Sequence, residues 1–194
     1  FGNGLFVAIS SAGAAVAPGG KILTSPDGKS WTERFNFTGG SLNSVKYGNG
    51  VFVVLTSTNE VMRSTDAISW SAPVAVPLQN AMLRYVNGQY FLGGTRGELY
   101  VSPDALAWTP RLTTTSDSVR GLAFGAGQYV LTGDNGLLVT SPDAITWTQR
   151  NSGTRLNLRD AAYANGTWVV LSNATTPPAI LTSPDGVTWT NRVT

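Results

Sequence analysis

Short apolar runs recur along the chain, each bounded by turn-forming residues, as in Val51-Phe52-Val53-Val54-Leu55, Gln89-Tyr90-Phe91-Leu92 and Thr167-Trp168-Val169-Val170-Leu171. They are rich in β-branched and aromatic residues and too short for helices, so the pattern predicts buried strands. Asn-Gly or a close relative precedes the runs, at Asn3-Gly4, Asn49-Gly50, Asn87-Gly88, Ala126-Gly127 and Asn165-Gly166. Both residues of such a turn must accept positive φ, and the pair is the strongest local sign of a tight antiparallel hairpin. An aromatic stands before each turn: Phe1, Tyr47, Tyr85, Phe124 and Tyr163. Asp134-Asn135-Gly136 marks a further hairpin within its repeat.

A second signature keeps step with the first. Ser25-Pro26-Asp27-Gly28-Lys29-Ser30-Trp31 returns around Asp66 and Trp70, Asp104 and Trp108, Asp143 and Trp147, and Asp185 and Trp189. The Trp-to-Trp steps are 39, 38, 39 and 42 residues, the period of a repeat architecture. Each repeat reads as four strands, A to D. Strand A ends at the aromatic, B follows the Asn-Gly turn, C enters the Ser-x-Asp turn and D leaves through Trp. The expected fold is all-β, a five-bladed β-propeller of four-stranded antiparallel blades with about 19 strands. It forms one domain over 1–194, with repeats near 1–38, 39–77, 78–115, 116–154 and 155–194. The alternative is a β-solenoid, but its strands are usually parallel and the Asn-Gly hairpins demand antiparallel neighbours.

The recurrence of Asp in every repeat points to a turn lock, since its carboxylate can accept backbone N–H groups a few residues onward. Catalytic acids or metal ligands are the competing reading. The residue after Asp is Gly28 or Gly186 but also Ala67, Ala105 or Ala144, so positive φ is expected there as helpful and not obligatory. The Trp four residues after Asp is expected to wedge a large apolar ring between adjacent sheets, where truncation typically costs ~3–5 kcal/mol. Arg34, Arg111, Arg150 and Arg192 stand three residues after Trp in four repeats, with Pro73 in the fifth. Recurrence again argues structure, the stems covering Trp rings or bridging blades.

These repeats resemble the Asp-box, or bacterial neuraminidase repeat, of sialidase-like β-propellers, whose motif runs Ser-x-Asp-x-Gly-x-x-Trp. Here the spacing is one residue shorter. The resemblance implies structural turns remote from an active site. The catalytic set it implies is an arginine triad with a Tyr/Glu nucleophile pair and an Asp acid, and no motif here carries those residues over.

Composition narrows the chemistry. With no Cys and no His, thiol nucleophiles, the usual triads and His-containing metal sites are excluded. No metal or cofactor is expected. Charged residues make up 12% of the chain and its net charge is +2, with the basic residues scattered, which disfavours nucleic acid. No apolar run approaches the ~20 residues of a membrane span. Three tripeptides, at Asn36, Asn165 and Asn173, fit the glycosylation acceptor pattern.

Two features suggest where a ligand could sit. The aromatic-to-Asp spacing is 19 residues in the middle repeats, 26 in the first and 22 in the fifth, which places insertions at 10–20 and around Thr175-Thr176-Pro177-Pro178. Variable loops over a rigid scaffold collect function, although insertions near chain ends are also simply tolerated. The position four residues before the aromatic is Asn43, Ala81, Arg120 and Arg159, with Arg155 and Asp160 close by. Either these arginines hold a carboxylate or phosphate in bidentate fashion, or they are solvated or internally bridged. No spacing among the remaining acids predicts a glycosidase pair.

Repeat 1 begins at its A-to-B turn and so lacks an A strand. Missing flanking residues, a strand donated by another chain, or membership of a larger propeller would each complete it. The sequence points to a non-enzymatic binding or assembly module, extracellular or on the cell surface, or a phage or filament component. The partner expected is protein or glycan. A sialidase-like glycoside hydrolase or lyase is the alternative.

Overall fold

A computed structural model describes residues 1–11, 19–79, 82–111, 115–174 and 177–193. Its described residues form 19 strands in five antiparallel sheets, each a simple meander. The first has three strands, β1 (Phe6–Ile9), β2 (Gly20–Ser25) and β3 (Thr32–Phe37). The second runs β4 (Leu42–Gly48), β5 (Val51–Thr56), β6 (Glu60–Ser64) and β7 (Val74–Ala75). The third runs β8 (Met82–Val86), β9 (Gln89–Gly93), β10 (Leu99–Ser102) and β11 (Thr109–Arg111). The fourth runs β12 (Val119–Gly125), β13 (Gln128–Gly133), β14 (Leu138–Ser141) and β15 (Thr148–Gln149). The fifth runs β16 (Leu158–Ala164), β17 (Thr167–Ser172), β18 (Ile180–Ser183) and β19 (Thr190–Asn191). These sheets are the blades of a five-bladed β-propeller, and the first lacks its innermost strand.

The chain divides into two compact units, one comprising Phe1–Phe91 with Ser102–Trp108 and the other Leu92–Val101 with Thr109–Thr194. In the first unit, Ile22 and Phe37 of one blade pack with Leu42, Val54 and Met62 of the next. In the second, Val130 and Leu138 pack with Leu158, Trp168, Val170 and Leu181. Each fully buried side chain of this kind contributes roughly 1.5–3 kcal/mol. Neighbouring blades approach closely where glycine follows the strand A aromatic. A side chain at Gly48 would overlap the Tyr85 ring, and one at Gly125 the Tyr163 ring.

All five A-to-B turns have both central residues at positive φ, from Asn3 (47°) and Gly4 (75°) through Ala126 (47°) and Gly127 (76°) to Asn165 (49°) and Gly166 (75°). The turn brings two rings together across each hairpin: Phe1 with Phe6, Tyr47 with Phe52, Tyr85 with Tyr90, Phe124 with Tyr129 and Tyr163 with Trp168, at 4.5–4.8 Å between centroids. Such tilted pairs add ~0.5–1.5 kcal/mol beyond their burial. The turns also latch blades together. Asn49 Nδ2 donates to the carbonyls of Gly88 and Pro103, each at 2.9 Å, while Tyr85 Oη donates to Asn49 Oδ1 at 2.7 Å. Buried Tyr90 donates its hydroxyl to the carbonyls of Gly48 and Val51.

The Ser-x-Asp turns form one repeated hydrogen-bond set. In the first, Ser25 Oγ donates to Asp27 Oδ1 and accepts the N–H groups of Asp27 and Gly28, while Asp27 Oδ1 accepts those of Lys29 and Ser30. The same bonds recur around Asp66 and Asp185. These N–H donors hold all five motif carboxyls below the ordinary range, Asp66 at about 2.

Three expectations change. Positive φ after the Asp is universal: Gly28 and Gly186 adopt 73° and 72°, and Ala67, Ala105 and Ala144 adopt 60°, 59° and 59°. The alanines accept a left-handed conformation that disfavours a Cβ because the two bonds flanking them require it. The motif Trp rings are not uniformly wedged between sheets. Trp31 is 42% exposed and Trp147 only 6%, and the one fully buried indole, Trp168, lies outside the motif. What recurs is a local bond, with Trp31, Trp70 and Trp189 donating Nε1–H to the carbonyl of the left-handed residue. The recurring arginines act within a blade. Arg34, Arg150 and Arg192 each donate Nε–H to a threonine of strand C, Thr24, Thr140 and Thr182, at 2.7–2.9 Å.

Candidate functional site

The position four residues before the strand A aromatic has a structural identity that spacing alone does not show. Pairing between β4 and β5 slips between Leu42 and Ser44, between β12 and β13 from Val119 to Gly121, and between β16 and β17 from Leu158 to Asp160. Asn43, Arg120 and Arg159 are therefore the extra residues of β-bulges placed alike in three blades. A bulge leaves its residue out of the ladder and re-aims its side chain, which is why bulges gather beside binding sites. Ala81 lies outside the described residues.

In the second unit two bulge arginines occur in adjacent blades. Gly121 permits that closeness, since a side chain there would strike Thr132 and the backbone of Arg159 and Asp160. Arg120 grips Asp134 with two bonds, Nε to Oδ1 at 3.1 Å and Nη2 to Oδ2 at 2.8 Å. The Arg120 guanidinium holds the Asp134 carboxyl below its ordinary range, with Ser118 and the Arg159 charge adding to the effect, and the carboxylate in turn raises the Arg120 pKa. Arg159 meets Asn173, whose amide oxygen, turned toward the guanidinium, accepts from Nε at 3.1 Å and Nη2 at 2.8 Å.

Asp134 belongs to the single 3₁₀ turn among the described residues, Asp134–Gly136, which joins β13 to β14 as the hairpin expected there. Asn135 is left-handed at φ 55°, and its Nδ2 donates to Asp117 Oδ1 at 2.7 Å while its N–H donates to Asn157 Oδ1 at 3.1 Å. The backbone N–H of Asn173 reaches the Asn157 carbonyl at 3.1 Å. The result is a polar surface of two guanidiniums, three carboxamides and two carboxylates, built by strand A starts and B-to-C turns.

Of the residues singled out from sequence, the structure sets Arg120 on Asp134 and Arg159, at the equivalent bulge of the next blade, on Asn173. Asp160 follows Arg159 in β16 and caps the N–H of Ala161. Arg155 is exposed on the preceding loop, and no described residue pairs with it. Asp134, Asn135, Asn157 and Asn173 complete the surface. In sequence Asp134 is marked only by its Asp-Asn-Gly turn, and its 14-residue separation from Arg120 carries no periodic signal. The two insertions fall largely outside the described residues, at 12–18 and 175–176.

Chemically the surface offers hydrogen-bond donors in planar pairs, suited to carboxylates and peptide amides. Every carboxyl whose pKa moves is lowered, opposite to what a general acid needs. Among the described residues no group of three or more acids could hold a metal ion.

The class defined by these sheets is the β-propeller. No family model matches the chain, and no curated protein matches it. Among solved structures it is similar to YCF48 bound to D1 peptide, at 16% identity and a TM-score of 0.63, covering 100% of this chain and 68% of that one. It is also similar to YCF48 from Cyanidioschyzon merolae, at 14% identity and a TM-score of 0.56, covering 98% of this chain and 86% of that one. The likeness is one of fold.

Proposed function

We propose that the protein is a non-enzymatic binding or assembly module that takes a segment of another protein at the bulge-arginine surface of its second unit. The observation that carries this reading is the pair of equivalent bulges in adjacent blades, which set Arg120 on Asp134 and Arg159 on Asn173. A partner carboxylate can take over the contact that Asn173 makes with Arg159, exchanging a neutral acceptor for an anionic one. Similarity to a propeller solved with a peptide agrees with this choice of partner over a glycan. The Ser-x-Asp turns are of the Asp-box kind and act as turn locks. We place the module outside the cell or on its surface, on its low charge and its Gly, Ser, Thr and Asn content.

The test is parallel probing of the protein on an array of acidic and neutral peptides and on a glycan array. Binding of acidic peptides that falls at least tenfold in Arg159→Ala supports the reading. Glycan binding with no peptide binding overturns it. Turnover of fluorogenic glycosides abolished by changing Arg120 or Arg159 would install the hydrolase reading instead.

A further inference from the structure

The second blade departs from the repeat at three positions, and all three bear on one place. Strand C carries Arg63 where the other blades have Thr24, Val101, Thr140 and Thr182. The turn carries Thr65 where they have Pro26, Pro103, Pro142 and Pro184. After the Trp, Pro73 replaces Arg34, Arg111, Arg150 and Arg192. Three blades satisfy an Arg Nε–H on the threonine of the neighbouring strand. In the second blade the arginine has changed strands and no threonine faces it.

Pro73 reshapes the outer strand as well. It has no N–H to give the ladder. The chain bonds to Arg63 through Ser71, with Ser71 N–H to the Arg63 carbonyl at 2.9 Å and Arg63 N–H to Ser71 Oγ at 3.1 Å. It then leaves the sheet and rejoins only at Val74, opposite Val61. Beside the detour lies an open pocket of about 210 Å³ lined by Val51, Arg63, Ser64, Thr65, Ser69 and Ser71.

Inside this arrangement Arg63 Nε is sealed from solvent without a hydrogen-bond partner. A buried donor left unsatisfied is destabilising, more so when it is charged, so its retention calls for an acceptor. The nearby hydroxyls do not fill that role. Ser64 Oγ already accepts the N–H groups of Asp66 and Ala67, and Ser71 Oγ accepts the Arg63 backbone N–H. Ser69 is turned to Asp66. Thr65, exposed at the pocket rim, has its carbonyl taken by Asn3 and its hydroxyl bonded to no described residue. Asp66 and Asp104 are the acids nearby; turn N–H groups at Ile68, Ser69 and Leu106 bond their Oδ1 atoms, and neither carboxylate hydrogen-bonds Arg63 Nε.

We propose that this pocket is a second binding site, specific for a small oxyanion, in which Arg63 supplies the guanidinium and Thr65 a hydroxyl donor. Carboxylate, sulfate and phosphate share the required chemistry. The site belongs to the first unit and does not depend on the bulge-arginine surface.

The test follows the Arg63 Nε–H resonance by ¹H–¹⁵N NMR in the 194-residue protein at constant ionic strength, with chloride as the balancing anion. Arms of sodium sulfate, sodium phosphate and sodium acetate are joined by an acetylated tripeptide bearing either a free C-terminus or an amide. A local resonance is preferred to melting temperature because sulfate stabilises folded proteins generally. A saturable shift in at least one oxyanion arm is expected. Response to the free-acid peptide alone assigns a peptide carboxylate, and response to the inorganic salts assigns a free anion. The double variant R63T/P73R restores the arrangement of the other blades, so it is expected to fold and to lose the saturable shifts of the neighbouring Thr65 and Ser71 amides. The absence of saturation in every arm, or a double variant whose amides respond as the wild type does, overturns the site.

Discussion

The two ends of each repeat obey different rules. At the end carrying the A-to-B and C-to-D turns, the same backbone angles and the same Ser and Asp hydrogen bonds recur from blade to blade, with alanine forced to 60° of φ where glycine is absent. At the other end only the backbone recurs. The same bulge presents Asn43 in one blade and Arg120 and Arg159 in two others, and the turns beside it differ in length and sequence. A feature repeated with its side chain is needed by every blade, whereas a feature repeated without it lets the side chain vary from blade to blade. The contrast separates scaffold from site without any knowledge of the ligand.

Acid should break the first end hardest, because it strikes all five turns at once. The motif carboxyls are lowered in the folded protein, so their contribution is complete above the unfolded value near 3.8 and is lost as pH falls through the folded values. The urea midpoint should fall steeply from about pH 4 to about pH 2, the latter set by Asp66, and less steeply in Asp66→Asn. A flat profile across that window would show that the carboxylates do not lock the turns. Next in size is Trp147→Ala, expected to cost ~3–5 kcal/mol in chemical unfolding, against a much smaller loss for half-exposed Trp31→Ala. Equal costs would restore the uniform wedge. Ser183→Ala removes a buried hydroxyl that accepts the N–H groups of Asp185 and Gly186, and should cost ~1–3 kcal/mol. Smallest is Arg159→Ala, whose effect on stability should stay within ~0.5 kcal/mol while peptide binding falls. A loss as large as that of Ser183→Ala would move Arg159 into the scaffold.

What could be read from the chain follows the same division. Asn-Gly turns, the blade period and the Ser-x-Asp locks depend on residues a few positions apart, so local chemistry reveals them. Ala67, Ala105 and Ala144 misled because the usual preference of alanine is overridden by bonds on either side. Trp burial could not be judged, since it depends on what neighbouring strands place over each ring. Spacing aligned Arg120 with Arg159 but could not show the bulge beneath them or the Asp134 carboxylate across the hairpin. The Arg34–Thr24 type of bond joins partners ten residues apart and becomes visible only once the register of strands C and D is known.

The latch at Asn49 carries a consequence for the history of such a chain. Its amide donates to the carbonyls of Gly88 and Pro103, groups that every residue possesses, and Tyr90 likewise spends its hydroxyl on the carbonyls of Gly48 and Val51. Bonds read through main-chain oxygen are indifferent to the identity of the residue that supplies it, and the residues the joint does specify, Gly48 and Tyr85, belong to the recurring turn signature itself. A duplicated repeat can therefore dock beside its copy at once, with no matching change in its neighbour, and its bulge residue can diverge afterwards while the joint holds.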